Sequence, residues 1–253
     1  MTIKSPDFSH VPALRALFAE AFDESDAFLD DFFKIGFSPE RALAIFEVEE
    51  PVSALYTFDV ECQGEKMAYL YAISTRRDMQ GKGLARTLIK EAHTRLESLG
   101  YSSTILVPAS PTLFNYYRRI GYIDACGICE QSYLPSGSSL PLRRIGLNEF
   151  LESRRKMLPG CAVVEEGPLA ELLANHAEFY TGEGILLTAK RDGSRLFGVE
   201  LLGNESLAPR ILTSLECSEG KFRTIGSSRP FAMYYPLKKN VSIPTHFGIT
   251  LDV

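Results

Sequence analysis

The sequence predicts an α/β (α+β) fold, in which a mixed, mostly antiparallel sheet is flanked by helices and a second, smaller α/β domain follows. Two observations predict the sheet: three β-type runs are separated by short turns, and a long amphipathic helix then connects two further β-type runs. A third observation predicts the division into two domains: a turn-rich stretch near residue 140 interrupts this pattern of strands and helices, which then partly recurs.

Two helices are predicted before the first strand. Ser9 can cap a helix with Pro12 in its first turn, and apolar residues then repeat at helical spacing as far as Phe22. Ser25 can cap a second, short helix. The acidic connection between them, residues 23–26, is expected to form an exposed corner.

The remaining elements of the first half are predicted as strands at 41–48, 52–62 and 67–74, a helix at 83–99, a strand at 101–107, a helix opening at Pro111 and a strand at 122–128. Short turns separate the first three strands, which suits antiparallel hairpins. The helix at 83–99 is long enough for a crossover, so the strands on either side of it are expected to pair in parallel.

Turn-forming residues at 134–141 mark the best candidate linker. The predicted domains are therefore 1–134 and 142–253, joined by a linker at 135–141. The second domain is predicted to contain helices at 148–157, 168–179 and 206–215 and strands at 162–165, 185–190, 196–202, 221–225, 231–236 and 247–252. Its strand-helix-strand unit at 196–225 mimics the unit at 67–107, which suggests a degenerate structural repeat.

Composition excludes several classes of function. The formal net charge of −5 argues against a broad nucleic-acid surface, and no uncharged run of eighteen apolar residues indicates a membrane span. The N-terminus lacks the pattern of a signal peptide, so a cytoplasmic location is expected. Cys126 and Cys129 form a CxxC pair without a second pair of ligands, so no metal site is expected.

The loop at 73–85 is the segment of the first half whose residues predict a binding function. Gly81 and Gly83 allow a tight turn directly before the long helix, so that successive backbone N–H groups can converge on an anion. The spacing fits neither a Walker loop nor a Rossmann fingerprint. On its own, the loop predicts a phosphate cradle.

Two motifs resemble those of the GCN5-related N-acetyltransferase (GNAT) superfamily. The first is Gln80-x-x-Gly83-x-Ala85, and the second is the pair Tyr116-Tyr117 followed by Gly121-Tyr122. The resemblance covers roughly residues 1–130, and its topology agrees with the elements predicted above. It implies an acyltransferase that uses acetyl-CoA as cosubstrate, without a metal, to acetylate a primary amine through a tetrahedral intermediate.

The resemblance also implies roles for individual residues. The sheet is expected to splay between the strand that ends at Thr75 and the strand at 101–107, which leaves a cleft for the pantetheine arm. The implied cofactor-binding residues are Ile73, Ser74, Thr75, Gln80, Gly81, Lys82, Gly83, Leu84, Ala85 and Asn115. Tyr117 is the implied general acid, since a phenol can protonate the leaving thiolate.

The acceptor and the general base stay open at this stage. The acceptor is expected to be an amine on a small molecule or a peptide, and the oligomeric state, for which a homodimer is one candidate, is not encoded in either motif. Candidate bases are Glu61, the acidic connection Asp23, Glu24 and Asp26, and the carboxylate of Val253. The alternatives are a non-catalytic acyl-CoA sensor and an interaction protein with a vestigial cradle. The second domain has no glycine cradle, so it is expected not to bind CoA.

Overall fold

The computed structural model of the chain describes residues 1–248 and Leu251. Its strands are β1 (Thr2–Lys4), β2 (Ala42–Glu47), β3 (Glu50–Cys62), β4 (Glu65–Thr75), β5 (Ser103–Leu106), β6 (Ile123–Tyr133), β7 (Arg143–Ile145), β8 (Val164–Glu165), β9 (Glu178–Gly182), β10 (Ile185–Asp192), β11 (Arg195–Leu202), β12 (Glu219–Ile225) and β13 (Arg229–Pro236). Its α-helices are α1 (Val11–Ala21), α2 (Asp26–Asp31), α3 (Leu84–Ser98), α4 (Pro111–Arg118), α5 (Leu147–Met157), α6 (Pro168–His176) and α7 (Ala208–Ser214).

All these strands belong to one sheet, which confirms the predicted mixed, mostly antiparallel architecture with helices on its faces. The strand order is β1-β2-β3-β4-β5-β13-β6-β12-β11-β10-β9-β7, and β8 pairs with β3 away from this path. Two neighbouring pairs, β4–β5 and β11–β12, are parallel, and each is connected by a helical crossover. The predicted likeness between the two strand-helix-strand units is therefore present in the topology.

Strand β13 crosses the predicted domain boundary. It comes from the second half of the chain, yet it pairs with β5 on one side and β6 on the other. Strand β6 in turn pairs with β12, so the sheet runs without interruption from one half to the other. The division at 135–141 remains a prediction about how the chain divides into folding units.

Most predicted elements are present, and the differences are local. Ser9 does not cap α1: the Asp7 side chain accepts a hydrogen bond from the Ser9 amide and caps a 3₁₀ turn, Phe8–His10, that leads into α1, and His10 at the N-cap of α1 forms no capping hydrogen bond. The helix predicted at 168–179 ends at His176, and its last predicted residues belong to β9, which was not expected. Strands β1 and β7 are short edge strands that local periodicity did not indicate. Of the strand predicted at 247–252, Phe247 and Gly248 are not in a strand, and residues 249, 250 and 252 lie outside the described residues.

The core covers both faces of the sheet. Leu88, Ile89 and Ala92 of α3 pack on one face. On the other face, Phe18 of α1 belongs to the same apolar cluster as Phe150 of α5 and other residues of the second half. Because burial of apolar surface contributes roughly 25 cal/mol per Å², this shared core stabilises the contact between the two halves.

A buried charged quartet lies where the halves meet: Arg154 on α5, Glu165 on β8, Glu200 on β11 and His246. Arg154 donates to Glu165 (Nη1–Oε2, 2.5 Å) and to Glu200 (Nε–Oε2, 2.6 Å), and His246 Nε2 lies 2.6 Å from Glu200 Oε1. Each of the four residues is at most 2% exposed. Since β8 pairs with β3, the quartet ties β3 to the second half of the chain.

The two carboxylates of the quartet have opposite pKa shifts. Burial, reinforced by Glu200, raises the pKa of Glu165 to about 8 even though Arg154 opposes the shift. Burial would also raise the pKa of Glu200, but Arg154 and His246 outweigh it and hold the value at about 2. At neutral pH, Glu165 therefore carries a proton, and Arg154 forms its ion pair with Glu200.

Replacing Glu165 by Gln is expected to flatten the pH dependence of stability. Because the pKa of Glu165 is higher in the folded state, its contribution is fully present below its unfolded pKa and is lost as the pH rises through about 8, by at most about 1.4 kcal/mol per pH unit. A Gln side chain cannot ionise and avoids this loss. Urea unfolding at pH 5, 6.5 and 8 measures the difference. Parallel pH profiles for the two proteins would show that Glu165 is already ionised at pH 5.

Candidate active site

The candidate site begins at an irregularity in β4. The register with β3 shifts between Ala54 and Tyr56, and on β4 the backbone of Ala72 has φ of 47°, a left-handed conformation that is unfavourable for a residue with a Cβ atom. The parallel pairing of β4 with β5 ends at Tyr69 and Ile105. Strand β4 continues to Thr75, and its end borders a cleft with the start of α3 and with α4.

The loop after β4 leaves open space at the start of α3. Gly81 and Gly83 have φ of 76° and 77°, and a Cβ atom built on either would meet no other atom within 4 Å. Gly83 is the N-cap of α3 and provides no capping side chain. The first N–H groups of a helix lack partners within the helix, so here they face the opening together with the positive end of the helix dipole.

Side chains of the loop and of α1 hold this turn in place. The Gln80 amide group donates to Thr75 O (3.1 Å), which closes the loop across its base. The Arg77 backbone N–H donates to Glu20 Oε1 (3.0 Å), so the end of α1 is attached to the loop. Arg76 forms an ion pair with Asp78 (2.7 Å). The segment that leads into the glycine turn is therefore held in place by contacts within the protein.

The cleft between β4, α3 and α4 has a volume of about 490 Å³, within the usual range for small-molecule sites. Eight of the residues predicted from the sequence line it: Ile73, Thr75, Gln80, Gly81, Gly83, Leu84, Ala85 and Tyr117. Met79, Leu113 and Tyr116 line it as well. Sequence reasoning did not assign these three to the site, although Leu113, Tyr116 and Tyr117 have the i, i+3, i+4 spacing of one helix face.

Three other predicted residues do not line this cleft. Ser74 is buried, and its carbonyl oxygen accepts a hydrogen bond from Ser53 Oγ (2.8 Å). The Lys82 ammonium group lies 3.1 Å from the sulfur of Met79. Asn115 lies on another face of α4, where its Oδ1 accepts from Arg118 (2.8 Å) in a second cavity.

Tyr117 lies in a cluster of aromatic rings. It is 8% exposed, and its ring centroid is 5.2 Å from that of Tyr116 and 5.8 Å from that of Tyr122. The Tyr122 hydroxyl lies 2.9 Å from both His93 Nε2 and Thr104 Oγ1. Burial raises the pKa of Tyr122 and lowers that of His93 to about 4, so both side chains are neutral at pH 7. Two uncharged aromatic rings, those of Tyr116 and Tyr122, thus pack against the ring of Tyr117.

The candidate general bases are far apart in the fold. Glu61 accepts from the Gly64 N–H in the β3–β4 turn, at the opposite end of β4 from the cleft. Asp26 forms an ion pair with Arg15 (2.9 Å). Burial raises the pKa of Glu24, and Lys190 of β10 opposes this shift. Val253 lies outside the described residues.

The described residues contain neither a cluster of metal ligands nor a helix that could span a membrane. Residues 1–248 and Leu251 contain no group of three or more His, Cys, Asp or Glu side chains arranged to hold a metal ion. Cys126, one member of the CxxC pair, is buried, and its Sγ lies 3.4 Å from Pro244 O. None of the helices described above is long and apolar enough to cross a membrane.

Comparison with known proteins gives the family of the first half. Residues 2–124 match the sequence model of an acetyltransferase (GNAT) domain. No curated protein sequence matches the chain.

Solved structures share the fold of the whole chain. A GCN5-related N-acetyltransferase from Anabaena variabilis is 15% identical, with a TM-score of 0.73 over 94% of this chain and 73% of that one. A second, from Kribbella flavida, is 15% identical, with a TM-score of 0.69 over 93% and 72%. A third, from Sphaerobacter thermophilus, is 9% identical, with a TM-score of 0.59 over 97% and 98%. At these identities the likeness is one of fold, and it extends over both halves of the chain.

Proposed function

Residues 2–124 form an acetyltransferase domain of the GNAT family, which makes this protein an acyltransferase, and we propose that it transfers an acetyl group from acetyl-CoA to a primary amine. The observation that carries the proposal is the cleft of about 490 Å³, in which the splayed end of β4, the glycine turn and Tyr117 meet. An anion-binding turn, an unpaired strand edge and a proton donor are the parts that this reaction needs.

In this proposal, the donor is held mainly by the backbone. The N–H groups from Gly81 to Ala85 bind the pyrophosphate, because the open space above both glycines lets the phosphates approach closely. Ile73 and Thr75, beyond the last residue of β4 that pairs with β5, offer backbone groups to the pantetheine amides. Lys82 and Asn115, which lie outside the cleft lining, are secondary in this arrangement.

The chemical step joins the amine nitrogen to the carbonyl carbon of the thioester. The tetrahedral intermediate collapses as the carbon–sulfur bond breaks: the thiolate takes a proton from the Tyr117 hydroxyl, the nitrogen releases its surplus proton to solvent, and Tyr117 regains a proton from solvent. The amine must first lose its own proton, since an amine with a pKa near 10 is only about one part in a thousand neutral at pH 7. Glu24 is our preferred acceptor of that proton. It is half-buried and follows α1, whose end contacts the cofactor loop.

A thiol-release assay with acetyl-CoA and a panel of amines tests this function. Release that depends on the amine, together with acetylated product in a mass spectrum, is the expected result. Tight binding of acetyl-CoA without release for any amine would favour the acyl-CoA sensor, and no binding at all would favour a vestigial cradle.

Replacing Tyr117 by Phe is expected to lower kcat about a hundredfold, the usual contribution of a general acid. The affinity for acetyl-CoA should change less than about twofold, because the ring that lines the cleft is retained. Steady-state turnover assays measure kcat, and calorimetry measures the affinity for acetyl-CoA. Tyr116→Phe is the matched control, since Tyr116 is the neighbouring residue and lines the same cleft. An unchanged kcat in Tyr117→Phe would remove this hydroxyl from the mechanism.

A further inference from the structure

We call the cleft of about 490 Å³ that Tyr117 lines the donor cleft. A second cavity lies against α4, on the side away from it. It has a volume of about 550 Å³, and we call it the arginine pocket after three of the residues that line it, Arg118, Arg223 and Arg229. Its apolar wall includes Val107, Phe114 and Phe231. The cavity therefore combines a large apolar surface with charged side chains of one sign.

Glu130 on β6 organises the cationic side of the pocket. Its Oε2 accepts from Arg223 Nε (3.1 Å) and from Arg229 Nη2 (2.9 Å), and Lys221 pairs with the same carboxylate. Burial would raise the pKa of Glu130, but the hydrogen bonds from these three side chains outweigh it and hold the pKa at about 2. The carboxylate is therefore ionised at neutral pH, and it fixes two guanidinium groups beside the cavity.

The charges of this cluster do not cancel. Glu130 pairs with Lys221, Arg223 and Arg229, and Asp124 pairs with Arg118 (2.5 Å). Four cationic side chains thus share two carboxylates. Three of the four cations, Arg118, Arg223 and Arg229, line the cavity, whereas Lys221 and both carboxylates do not belong to its lining.

Aromatic rings order the guanidinium groups. The Arg223 guanidinium lies 4.7 Å from the ring centroid of Phe197 and 5.2 Å from that of Phe231, and its side chain is only 13% exposed. The Arg118 guanidinium lies 5.8 Å from the ring centroid of Phe114. Partly desolvated arginines attract an anion more strongly than exposed ones do, and their planar donor groups match a carboxylate.

We propose that the arginine pocket binds a carboxylate of the acyl acceptor, so that the acceptor is an apolar amine that also carries an acid group, as an amino acid does. This inference rests on the proposed N-acetyltransferase function. Helix α4 separates the two cavities: Tyr117 lines the donor cleft, whereas Asn115 and Arg118 line the arginine pocket. The pocket also contains Val107, which directly follows β5. In this proposal, an acceptor whose carboxylate is held in the pocket extends its amine past Val107 and the start of α4 toward the thioester, and it does not occupy the donor site.

The test compares phenylalanine with phenylalanine amide as acceptors in the thiol-release assay. The acid is expected to have a kcat/KM at least about tenfold higher, a factor within the range of a charge-assisted hydrogen bond. In Arg229→Gln, the ratio of the two kcat/KM values should fall about tenfold, chiefly through KM of the acid. Arg143→Gln is the matched control, because Arg143 is also exposed and paired with one carboxylate but lines neither cavity.

Three results would overturn the inference. Equal use of the acid and the amide contradicts it while leaving the proposed acetyl transfer intact. A ratio that Arg229→Gln does not change also contradicts it. The third result is that Arg229→Gln does not affect the acceptor at all but weakens acetyl-CoA binding by the same factor as removal of the 3′-phosphate from CoA. The pocket then binds the 3′-phosphate of the donor and not a carboxylate of the acceptor.

Two precautions keep the test decisive. If no amine supports turnover, calorimetry with N-acetylphenylalanine and its amide still measures the preference for the carboxylate, and equal affinities overturn the inference. If Arg229→Gln does not fold, Arg118→Gln removes a cation from the opposite wall of the pocket and is expected to reduce the same preference.

Discussion

Replacing Gly83 by Glu is expected to abolish acetyl-CoA binding, lowering the affinity at least a hundredfold. A side chain at this position meets no protein atom within 4 Å, so it projects into the open space where we propose that the pyrophosphate binds. Two like charges about 4 Å apart repel by roughly 4 kcal/mol at an effective dielectric constant near 20, which corresponds to about a thousandfold in Kd. Calorimetric titration with acetyl-CoA measures the loss.

Gly64→Glu is the matched control for this variant. Gly64 lies in the β3–β4 turn with φ of 79°, close to the 77° of Gly83, and a Cβ atom there also meets nothing within 4 Å. Both variants therefore carry the same added charge and the same backbone strain of roughly 1–2 kcal/mol. Only Gly83→Glu should lose the cofactor. If it binds acetyl-CoA like the unmodified protein, the cradle at the start of α3 is not the donor site.

Replacing Arg154 by Leu is expected to have the largest effect on stability. The substitution leaves the Glu200 carboxylate, whose pKa is held at about 2, buried without its main cationic partner, and it also removes the donor to Glu165. Breaking a buried ion pair in this way typically costs about 3–5 kcal/mol of the free energy of unfolding, which lowers Tm by about 10 °C or more in a chain of this size. Urea titration and thermal melts measure both quantities.

Arg155→Leu is the control on the same helix. Arg155 also pairs with a glutamate, Glu166, but its side chain is 47% exposed, so its removal should cost less than about 1 kcal/mol. Equal destabilisation by the two substitutions would mean that helix packing, and not the buried quartet, determines the loss.

The quartet also connects the second half of the chain to the candidate site. His246 is bound to Glu200, and the next residue, Phe247, places its ring 5.0 Å from Tyr69 of β4. Tyr69 is the last residue of β4 that pairs with β5 before the cleft opens. Through this contact, the segment after β13 packs on the strand that forms the donor cleft. The second half of the chain therefore packs directly against the strand that borders the candidate site.

Much of the first half could be predicted because its signals are local. The apolar stripe of α3 repeats every three or four residues, and Gly81 and Gly83 stand where the chain turns into that helix. The two motifs that contain Gln80 and Tyr117 contribute side chains to one cleft, as the family resemblance implied. The bulge at Ala72 was not predicted, because neither this alanine nor its neighbours in the strand signal a positive φ.

The sequence by itself determined the order of most helices and strands, the mixed sheet, the GNAT motifs and the glycine turn that we propose binds the donor. Only the tertiary structure decided that β13 inserts between β5 and β6, and that Arg118, Arg223 and Arg229 share one cavity. The physical reason is the separation along the chain over which each kind of signal acts. Periodicity and turn chemistry act between residues a few positions apart, whereas pairing between strands a hundred residues apart depends on register and side-chain fit, which no local pattern contains.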